Sequence, residues 1–317
     1  LSIPGPAALR VVLERKKSWF GVLGGLQVGG ERVELARLLD AARRKQRYVQ
    51  IHDQSYVEIG ETLRAQLERL ADHVHLGKQG AEVGPSAIDA LLALERAGAS
   101  VDADTKWRDL VARIAASHQL QPRVPRTLKT TLRDYQTEGY AWLTRLASWG
   151  AGGILADDMG LGKTVQALAV LLDRRALGPQ LVLAPTSVAF NWVDEATRFA
   201  PTLKFSIFSE AEDRQSGIEA LGPGDVLVVS YGLLTRERER LAAVRFATIV
   251  FDEAQILKNA ATHRAKAARA LDGDFKFVLS GTPLENHLGE LWSLFSVVFP
   301  ELLGSWTAFR ERYALPI

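Results

Sequence analysis

A lysine and a threonine that follow a glycine-bearing loop are well suited to bind phosphate. They are Lys163 and Thr164, and the loop 157–162 before them has the sequence Asp-Asp-Met-Gly-Leu-Gly. Glycines let backbone N–H groups converge on phosphate oxygens, and the N-terminus of a following helix adds partial positive charge. The pattern predicts a P-loop, in which the lysine reaches the β- and γ-phosphates and the threonine hydroxyl holds Mg²⁺. Asp157 stands where the usual pattern has its first glycine, and a glycine-rich turn without a ligand is the alternative.

Two adjacent acids at the end of an apolar segment form a second candidate site. Asp252 and Glu253 come directly after the apolar run 248–251. At the end of a strand that shares a sheet with the P-loop, the first acid would hold Mg²⁺. The second would polarise the water that attacks the γ-phosphate. The alternative is a pair of solvated acids in a turn.

Apolar strands alternate with helices from Leu132 onward, and this order must position both candidate sites. The predicted strands are 154–155, 180–184, 203–208, 225–231, 248–251 and 275–279, and the predicted helices include 132–146, 165–175 and 187–199, the last capped by Ser187. Continuous apolar strands separated by helices are typical of a parallel sheet covered on both faces. Such sheets bind ligands at the carboxyl ends of their strands, where the polar motifs lie here. The predicted fold class is α/β.

The preceding residues have a different pattern and predict a smaller α+β domain over residues 1–117. Its predicted strands lie within 18–28 and in a hairpin of 47–51 and 56–59, and its predicted helices are 33–45, 62–75, 86–97 (capped by Ser86) and 106–117. Residues 118–131 contain two prolines and several basic residues without a periodic apolar face, which predicts a linker. None of these segments has catalytic spacing.

Composition excludes several classes of site. The 317 residues contain no cysteine, which excludes disulfides, thiol catalysis and cysteine-ligated metals, and the six histidines are scattered. A formal charge of +2 requires any nucleic-acid surface to be a local patch. No apolar run is long enough to span a bilayer and no signal peptide is visible, so we expect a cytoplasmic protein without a membrane partner. Because the chain begins without methionine, we expect it to be a piece of a longer protein.

Six motifs in order resemble the SWI/SNF-type ATPases of helicase superfamily two, which are DNA-dependent translocases. They are Leu-Arg-Asp-Tyr-Gln (132–136), the P-loop 157–164, Leu-Ala-Pro-Thr (183–186), Asn191-Trp192, Asp-Glu-Ala-Gln (252–255) and Leu-Ser-Gly-Thr-Pro-Leu-Glu-Asn (279–286). An aspartate at position 157 is normal in this family, whereas many members have histidine where this chain has Gln255. The resemblance implies a RecA-like first lobe over 132–317, preceded by an accessory domain as in bacterial members.

The resemblance also implies ATP and Mg²⁺ as cofactors and gives individual residues roles. The implied nucleotide-binding residues are Arg133, Gln136, Asp157, Asp158, Met159, Gly160, Leu161, Gly162, Lys163 and Thr164, with Thr164 and Asp252 as Mg²⁺ ligands and Lys163, Asp252 and Glu253 as catalytic residues. Gln136 would read the adenine edge; helix capping is the alternative for this residue.

The same resemblance implies a track for DNA. Thr186, Asn191 and Trp192 would face one strand, and Ser280 and Thr282 would couple this track to the nucleotide site. For Trp192, packing in the core is the alternative. Phosphate contacts carry no base information, so binding independent of DNA sequence is expected.

The implied function of the full-length protein is ATP-driven translocation on double-stranded DNA that remodels or displaces a DNA-bound protein complex, near the nucleoid if the source is bacterial. A second RecA-like lobe would supply arginines to the transition state, so we expect the first lobe alone to hydrolyse ATP very slowly. The alternatives are a strand-separating helicase, an RNA-directed ATPase, and a non-catalytic protein in which the N-terminal region docks a partner.

Overall fold

The computed structural model describes residues 3–16, 20–52, 55–77 and 80–314. The chain divides into two compact units, and the boundary lies between Ile114 and Ala115. Both this division and the predicted domain boundary at residue 117 fall within one helix, Thr105–Gln119. Among the described helices, none has the length and apolar character needed to cross a membrane.

The first unit combines short helices with antiparallel strands. Its strands are β1 (Leu9–Arg15), β2 (Phe20–Val28), β3 (Glu31–Glu34), β4 (Tyr48–His52), β5 (Ser55–Glu58), β6 (Val74–Gly77), β7 (Gly80–Val83) and β8 (Ser100–Ala103), and its helices are α1 (Leu35–Arg43), α2 (Glu61–Ala71), α3 (Ile88–Arg96) and α4 (Thr105–Gln119). In the described part of the chain, one sheet has the order β6-β7-β2-β1-β8, with β3 also paired to β2, and β4 pairs separately with β5. Strands β1 and β8 are parallel, and the other neighbours are antiparallel.

Several details of the first unit differ from the sequence predictions. The predicted helix 62–75 ends at Ala71, because the residues from Val74 onward pair with β7 as a strand. Ser86 does not cap α3, since it lies in a 3₁₀ turn and no side chain caps that helix. The hairpin of β4 and β5 is present; of its predicted turn 52–55, residues 53 and 54 lie outside the described residues. The leucines of α2 at 63, 67 and 70 are fully buried, as their helical spacing predicts.

The second unit is built on a parallel sheet. Its strands are β9 (Gly153–Leu155), β10 (Gln180–Ala184), β11 (Lys204–Ile207), β12 (Asp225–Ser230), β13 (Arg245–Phe246), β14 (Thr248–Asp252), β15 (Asp272–Gly273) and β16 (Lys276–Leu279). Its helices are α5 (Asp134–Trp149), α6 (Lys163–Asp173), α7 (Ala189–Phe199), α8 (Arg214–Glu219), α9 (Tyr231–Arg236), α10 (Arg238–Ala242), α11 (His263–Ala270), α12 (Leu288–Val298), α13 (Pro300–Leu303) and α14 (Trp306–Phe309). The order of the main sheet is β11-β12-β10-β14-β16-β9, and every neighbouring pair is parallel. The predicted α/β fold with a central parallel sheet is confirmed.

Alternate residues of the central strands enter cores on opposite faces of this sheet. Val182 and Val250 pack with α5, α6 and α7, whereas Leu181 and Ile249 pack with α9, α11 and α12. This alternation follows from the two-residue period of a strand. Since both faces are covered, the strands are apolar throughout, and polar side chains concentrate at the strand ends.

Strand register brings the loops of the candidate site to one edge. Asp252 at the end of β14 is opposite Leu279 of β16, and Leu279 is opposite Leu155 of β9. Strands β9, β14 and β16 therefore end at the same edge of the sheet. The P-loop follows β9, the acid pair lies at the end of β14, and the segment that begins at Ser280 follows β16.

Two local expectations about the second unit need correction. Ser187 does not cap α7, whose N-cap is Val188, and no side chain caps this helix. The predicted linker, most of which lies within the strand- and helix-free residues 120–133, packs on the second unit. Leu128 is buried there, and the Lys129 N–H donates to the Phe199 carbonyl at 2.8 Å. A single buried leucine gives no periodic signal, which is why the sequence did not indicate this packing.

Gly152 provides a test of how closely α12 and β16 approach the start of β9. A Cβ at this position would lie 2.1 Å from the Val298 carbonyl oxygen and 2.7 Å from the Lys276 carbonyl oxygen. We expect Gly152→Ala to lower the free energy of unfolding by roughly 1–3 kcal/mol, because backbone atoms must move. Urea unfolding of this chain measures the change. Gly232→Ala in α9 is the control, since nothing lies within 4 Å of its added methyl; equal stabilities of the two variants would contradict the prediction.

Candidate nucleotide-binding site

The loop between β9 and α6 has the backbone that a phosphate cradle requires. Gly160 and Gly162 have φ angles of +81° and +78°, in the left-handed region that glycine adopts easily. Helix α6 begins at Lys163, directly after the loop, so its unpaired first N–H groups lie at the sheet edge. A side chain at Gly162 would also collide with Gln136, whose Nε2 lies 2.5 Å from an added Cβ.

Lys163 and Asp157 tie this loop to α6. The Lys163 ammonium donates hydrogen bonds to the Asp157 carbonyl at 2.7 Å and to the Asp158 carbonyl at 3.0 Å. The Asp157 carboxylate accepts a bond of 2.8 Å from Nε2 of Gln166, which is fully buried in α6. The residue that replaces the usual first glycine is therefore anchored by its side chain. Sequence reasoning missed Gln166, although a glutamine among the apolar residues of a buried helix was an available signal.

Gln136 serves the fold with both ends of its amide. Its Oε1 accepts from the Arg133 N–H at 3.0 Å, which closes the first turn of α5, and its Nε2 donates to the Leu161 carbonyl at 3.0 Å. The Tyr135 hydroxyl donates to the same carbonyl at 3.0 Å. The capping alternative for Gln136 is thus present, and its role in reading adenine stays a prediction.

A cleft of about 540 Å³ lies beside the P-loop. It is bounded by Arg133 and Gln136 at the start of α5, by Gly160, and by Asp194 and Glu195 of α7. Burial and the nearby charge of Asp252 raise the pKa of Glu195. The cleft joins the residues predicted to contact the base to the glycines of the phosphate loop, so a nucleoside has room next to the cradle.

The acid pair lies at the end of β14, and its first member is buried. The Asp252 side chain accepts from the Trp192 indole N–H at 2.8 Å and from the Glu253 backbone N–H at 2.9 Å, and its residue is 8% exposed. Its carbonyl accepts from the Tyr231 hydroxyl at 2.8 Å. Burial raises the pKa of Asp252; the Trp192 bond opposes this rise, the charge of Glu253 adds to it, and Lys163 lowers it. Since β14 and β9 both end at this edge of the sheet, the P-loop with Lys163 and the carboxylate of Asp252 lie on the same side of the second unit.

Glu253 has a backbone conformation that is uncommon for any residue but glycine. Its φ is +47° and its ψ is +51°, in the left-handed region. Gln255 donates from Nε2 to the Glu253 carboxylate at 2.8 Å. Glu253 thus lies in the turn that follows β14, and its carboxylate is held by the bond from Gln255.

The oxygen donors at this edge fit Mg²⁺. Thr164 in the first turn of α6 offers a hydroxyl and Asp252 a carboxylate, which are the hard ligands that this ion prefers. No group of three or more histidine, cysteine or acidic residues in the described ranges could hold a metal by itself. This sparse donor set suits an ion that is shared between the protein and nucleotide phosphates.

The residues predicted to face DNA separate into exposed and buried ones. Thr186 and Asn191, around the start of α7, are exposed. Trp192 is 1% exposed, so its predicted position on the DNA-facing surface is wrong, and the core-packing alternative is the one found. Its side chain points inward from α7 because its indole N–H meets the buried Asp252.

The two predicted coupling residues lie in the loop after β16. Ser280 is fully buried, and its hydroxyl accepts from the Thr282 N–H at 3.2 Å. An added Cβ at Gly281 would lie 3.3 Å from the Met159 side chain, so this loop borders the P-loop. Contact between the two loops fits the predicted coupling, whose test remains to be made.

Lys258 joins the acid segment to the same loop, which sequence reasoning missed. Its ammonium lies 2.6 Å from Oε2 of Glu285 and 3.1 Å from Oε2 of Glu290. The Glu290 carboxylate also accepts from the Glu285 N–H at 2.9 Å and from Asn286 at 2.8 Å. Burial opposes ionisation of Glu290, but the hydrogen bonds from Glu285, Asn286 and Lys258 outweigh it and lower its pKa to about 2. The network holds the acid segment and the Ser280–Thr282 loop together.

The raised pKa of Asp252 predicts how Mg²⁺-dependent nucleotide affinity varies with pH. Protonation removes a metal ligand, so this affinity should fall as pH decreases, starting at a higher pH than an ordinary aspartate would give. Titration of a fluorescent ATP analogue in Mg²⁺ and in EDTA, between pH 8 and pH 5, separates this effect from titration of the phosphates. The Asp252→Asn variant should lose the Mg²⁺-dependent part of the nucleotide affinity. An Mg²⁺-dependent affinity that stays constant over this range would contradict the prediction.

The lowered pKa of Glu290 predicts a pH-dependent contribution to stability. A depressed carboxyl pKa stabilises the folded state above the unfolded pKa of about 4.3, and this contribution is lost as pH falls toward 2. We expect Glu290→Gln to destabilise this chain at pH 7 by about 1.5–3 kcal/mol, because hydrogen bonds to a charged group are lost. The difference in the free energy of unfolding between wild type and Glu290→Gln should become smaller as the pH falls from 5 to 3. Urea unfolding measures it, with the exposed Glu239→Gln as the control; a difference independent of pH would refute the assignment.

Comparison with known proteins places the second unit in a family. The model of the SNF2-related domain matches residues 135–317. The putative ATP-dependent helicase/translocase YwqA of Bacillus subtilis is 42% identical over 231 residues, which cover 70% of this chain and 25% of that protein. The TATA-binding protein-associated factor MOT1 of Saccharomyces cerevisiae is 32% identical over 228 residues, covering 66% of this chain and 12% of that protein.

A solved structure agrees with these sequence relatives. The SWI2/SNF2 ATPase core of Sulfolobus solfataricus in complex with dsDNA matches with a TM-score of 0.57 and 42% identity, over 62% of this chain and 42% of that one. The chain thus spans a quarter or less of the length of the curated relatives cited and under half of this core. The family match covers more than half of the chain and includes the P-loop, the acid pair and the Ser280–Thr282 loop, and the chain belongs to the SNF2-related family of SWI/SNF-type ATPases.

Proposed function

We propose that the intact protein is an ATP-driven translocase on double-stranded DNA that remodels or displaces DNA-bound proteins. The observation that carries this proposal is strand register, which brings the P-loop with Lys163, Asp252 and the Ser280–Thr282 loop to one edge of the sheet. Such an edge can hold a magnesium nucleotide and transmit its state to the loops around it.

The side chains at this edge have complementary parts in hydrolysis. Lys163 would exchange its bonds to the Asp157 and Asp158 carbonyls for bonds to the β- and γ-phosphates. Thr164 and Asp252 would hold Mg²⁺, which neutralises phosphate charge when bound. Glu253 would accept a proton from the attacking water, and the hydrogen bond from Gln255 would orient the Glu253 carboxylate for this step.

A second RecA-like lobe is part of this proposal. Relatives four or more times longer than the matched segment support further domains in the intact protein. Arginines from that lobe would stabilise charge on the transferred phosphoryl group, a contribution of about 10³–10⁵ in rate in related NTPases. The present lobe alone should therefore hydrolyse ATP very slowly.

Duplex DNA is the proposed track. The Bacillus relative is named as a helicase/translocase, and the Sulfolobus core was solved with double-stranded DNA. Exposed Thr186 and Asn191 would contact phosphates of one strand, which gives binding without sequence preference.

ATP turnover of the intact protein, measured with duplex DNA, single-stranded DNA or RNA, tests the proposal. We expect duplex DNA to stimulate turnover most, and Lys163→Ala to lower it by about 10²-fold or more because phosphate charge is no longer neutralised. The exposed Lys204→Ala on β11 is the matched control and should retain wild-type turnover.

Displacement of a third DNA strand from a triplex then measures translocation. Displacement without separation of a forked duplex supports a translocase, whereas separation of the fork would indicate a strand-separating helicase. Stimulation mainly by RNA would indicate an RNA-directed ATPase. Turnover of this chain alone that equals turnover of the intact protein would refute the requirement for a second lobe.

A further inference from the structure

A buried indole connects the exposed start of α7 to the end of β14. Trp192 is the fourth residue of α7, and its Nε1–H donates to Oδ2 of Asp252 at 2.8 Å. The indole is stacked against Phe205 of β11, with ring centroids 6.4 Å apart. The residues just before it, Phe190 and Asn191, are exposed. One helical turn therefore has solvent on one side and the acid pair on the other.

The chemistry of this contact is more specific than packing requires. Phenylalanine would fill an apolar core position, whereas an indole N–H is a donor that must find an acceptor when buried. Here the acceptor is an acidic side chain, and hydrogen bonds to charged acceptors are short and strong in a buried setting. A bond of 2.8 Å weakens steeply when donor and acceptor separate or tilt. A movement of α7 therefore changes how the Asp252 carboxylate is held.

Two further hydrogen bonds hold Asp252 through its carboxylate and its carbonyl. The Glu253 N–H belongs to the same segment as the carboxylate, and the donor to the Asp252 carbonyl is Tyr231, which is buried at the start of α9. The Trp192 bond begins in the helix turn that carries the exposed Phe190 and Asn191, and it therefore connects Asp252 to the surface predicted to face DNA.

We propose that Trp192 is a positioning residue through which DNA bound at residues 186–191 sets the orientation of the Asp252 carboxylate. This inference rests on the proposed function and names the regulation of the same site. Contact of duplex DNA with Thr186 and Asn191 fixes α7, the indole fixes Oδ2 of Asp252, and the carboxylate is then ready for the magnesium nucleotide. By linkage, magnesium nucleotide raises affinity for DNA by the same factor.

Removal of the indole N–H tests the inference in the intact protein. Trp192→Phe deletes the donor, and replacement of Trp192 with benzothienylalanine, in which sulfur replaces N–H, deletes it without changing the volume. We expect the ratio of DNA-stimulated to basal ATP turnover to fall by about fivefold or more in both. Trp292→Phe is the matched control, because it removes an indole bond of 2.9 Å to the Gly304 carbonyl and should leave the ratio unchanged.

A spectroscopic readout on this chain separates positioning from general damage. The chain has seven tryptophans, and the indole N–H resonance of Trp192 is assigned by its absence in Trp192→Phe. In NMR spectra of this chain, we expect the chemical shift of the Trp192 indole N–H to change when duplex DNA is added without nucleotide, and to change again when Mg²⁺-ADP is added. The Trp292 resonance should shift in neither titration.

The possible failures are distinguishable. If duplex DNA does not stimulate the wild-type intact protein, the proposed function fails and this inference fails with it. If DNA stimulates wild type and the benzothienylalanine variant equally, or if the Trp192 resonance does not respond to DNA, only the inference is overturned. The isosteric variant decides the question even if Trp192→Phe does not fold.

Discussion

The carboxylate of Asp252 is removed from water at the end of a fully buried strand, and the rest of the site is arranged around that constraint. A buried ionised group is costly unless it is hydrogen-bonded. Here the bonds come from α7 through Trp192 and from the next backbone N–H, with the charge of Lys163 nearby. Parallel register then fixes what surrounds the group, because the strands beside β14 end at the same level. Burial, charge and strand order together define one position at which a cation and a phosphate are both favoured.

The sequence predicted the second unit well where the signal is local. Strand β10 has the predicted bounds Gln180–Ala184, and the P-loop, the acid pair and the parallel order follow from short motifs and apolar runs. Pairings between distant residues were not predictable, since nothing near Trp192 in the chain indicates that its acceptor lies 60 positions away. The link from Lys258 to Glu290 was missed for the same reason. The first unit was harder because strands such as β8 have only four residues and are stabilised by pairing with remote partners.

Several side chains expected to bind ligands also hold the protein scaffold. The Gln136 amide closes a helix turn and holds the Leu161 carbonyl, yet the group retains a second N–H and acceptor capacity for a nucleotide base. Asp157 likewise stabilises the loop through Gln166. Shared use of this kind means that the cradle is shaped by the same atoms that meet the ligand, so its geometry is set before any nucleotide arrives.

Asp252 and Glu253 have different hydrogen-bond partners, and this difference decides which of them is better replaced to obtain an inactive but folded protein. Asp252→Asn would place an NH₂ group against either the Trp192 N–H or the Glu253 N–H. It would therefore weaken the hydrogen bonding that holds Asp252, including its link to α7, as well as remove the charge. An amide at Glu253 keeps an oxygen for Gln255 and disturbs no buried partner. For trapping a nucleotide-loaded complex in structural work, position 253 is therefore the better place for an isosteric replacement.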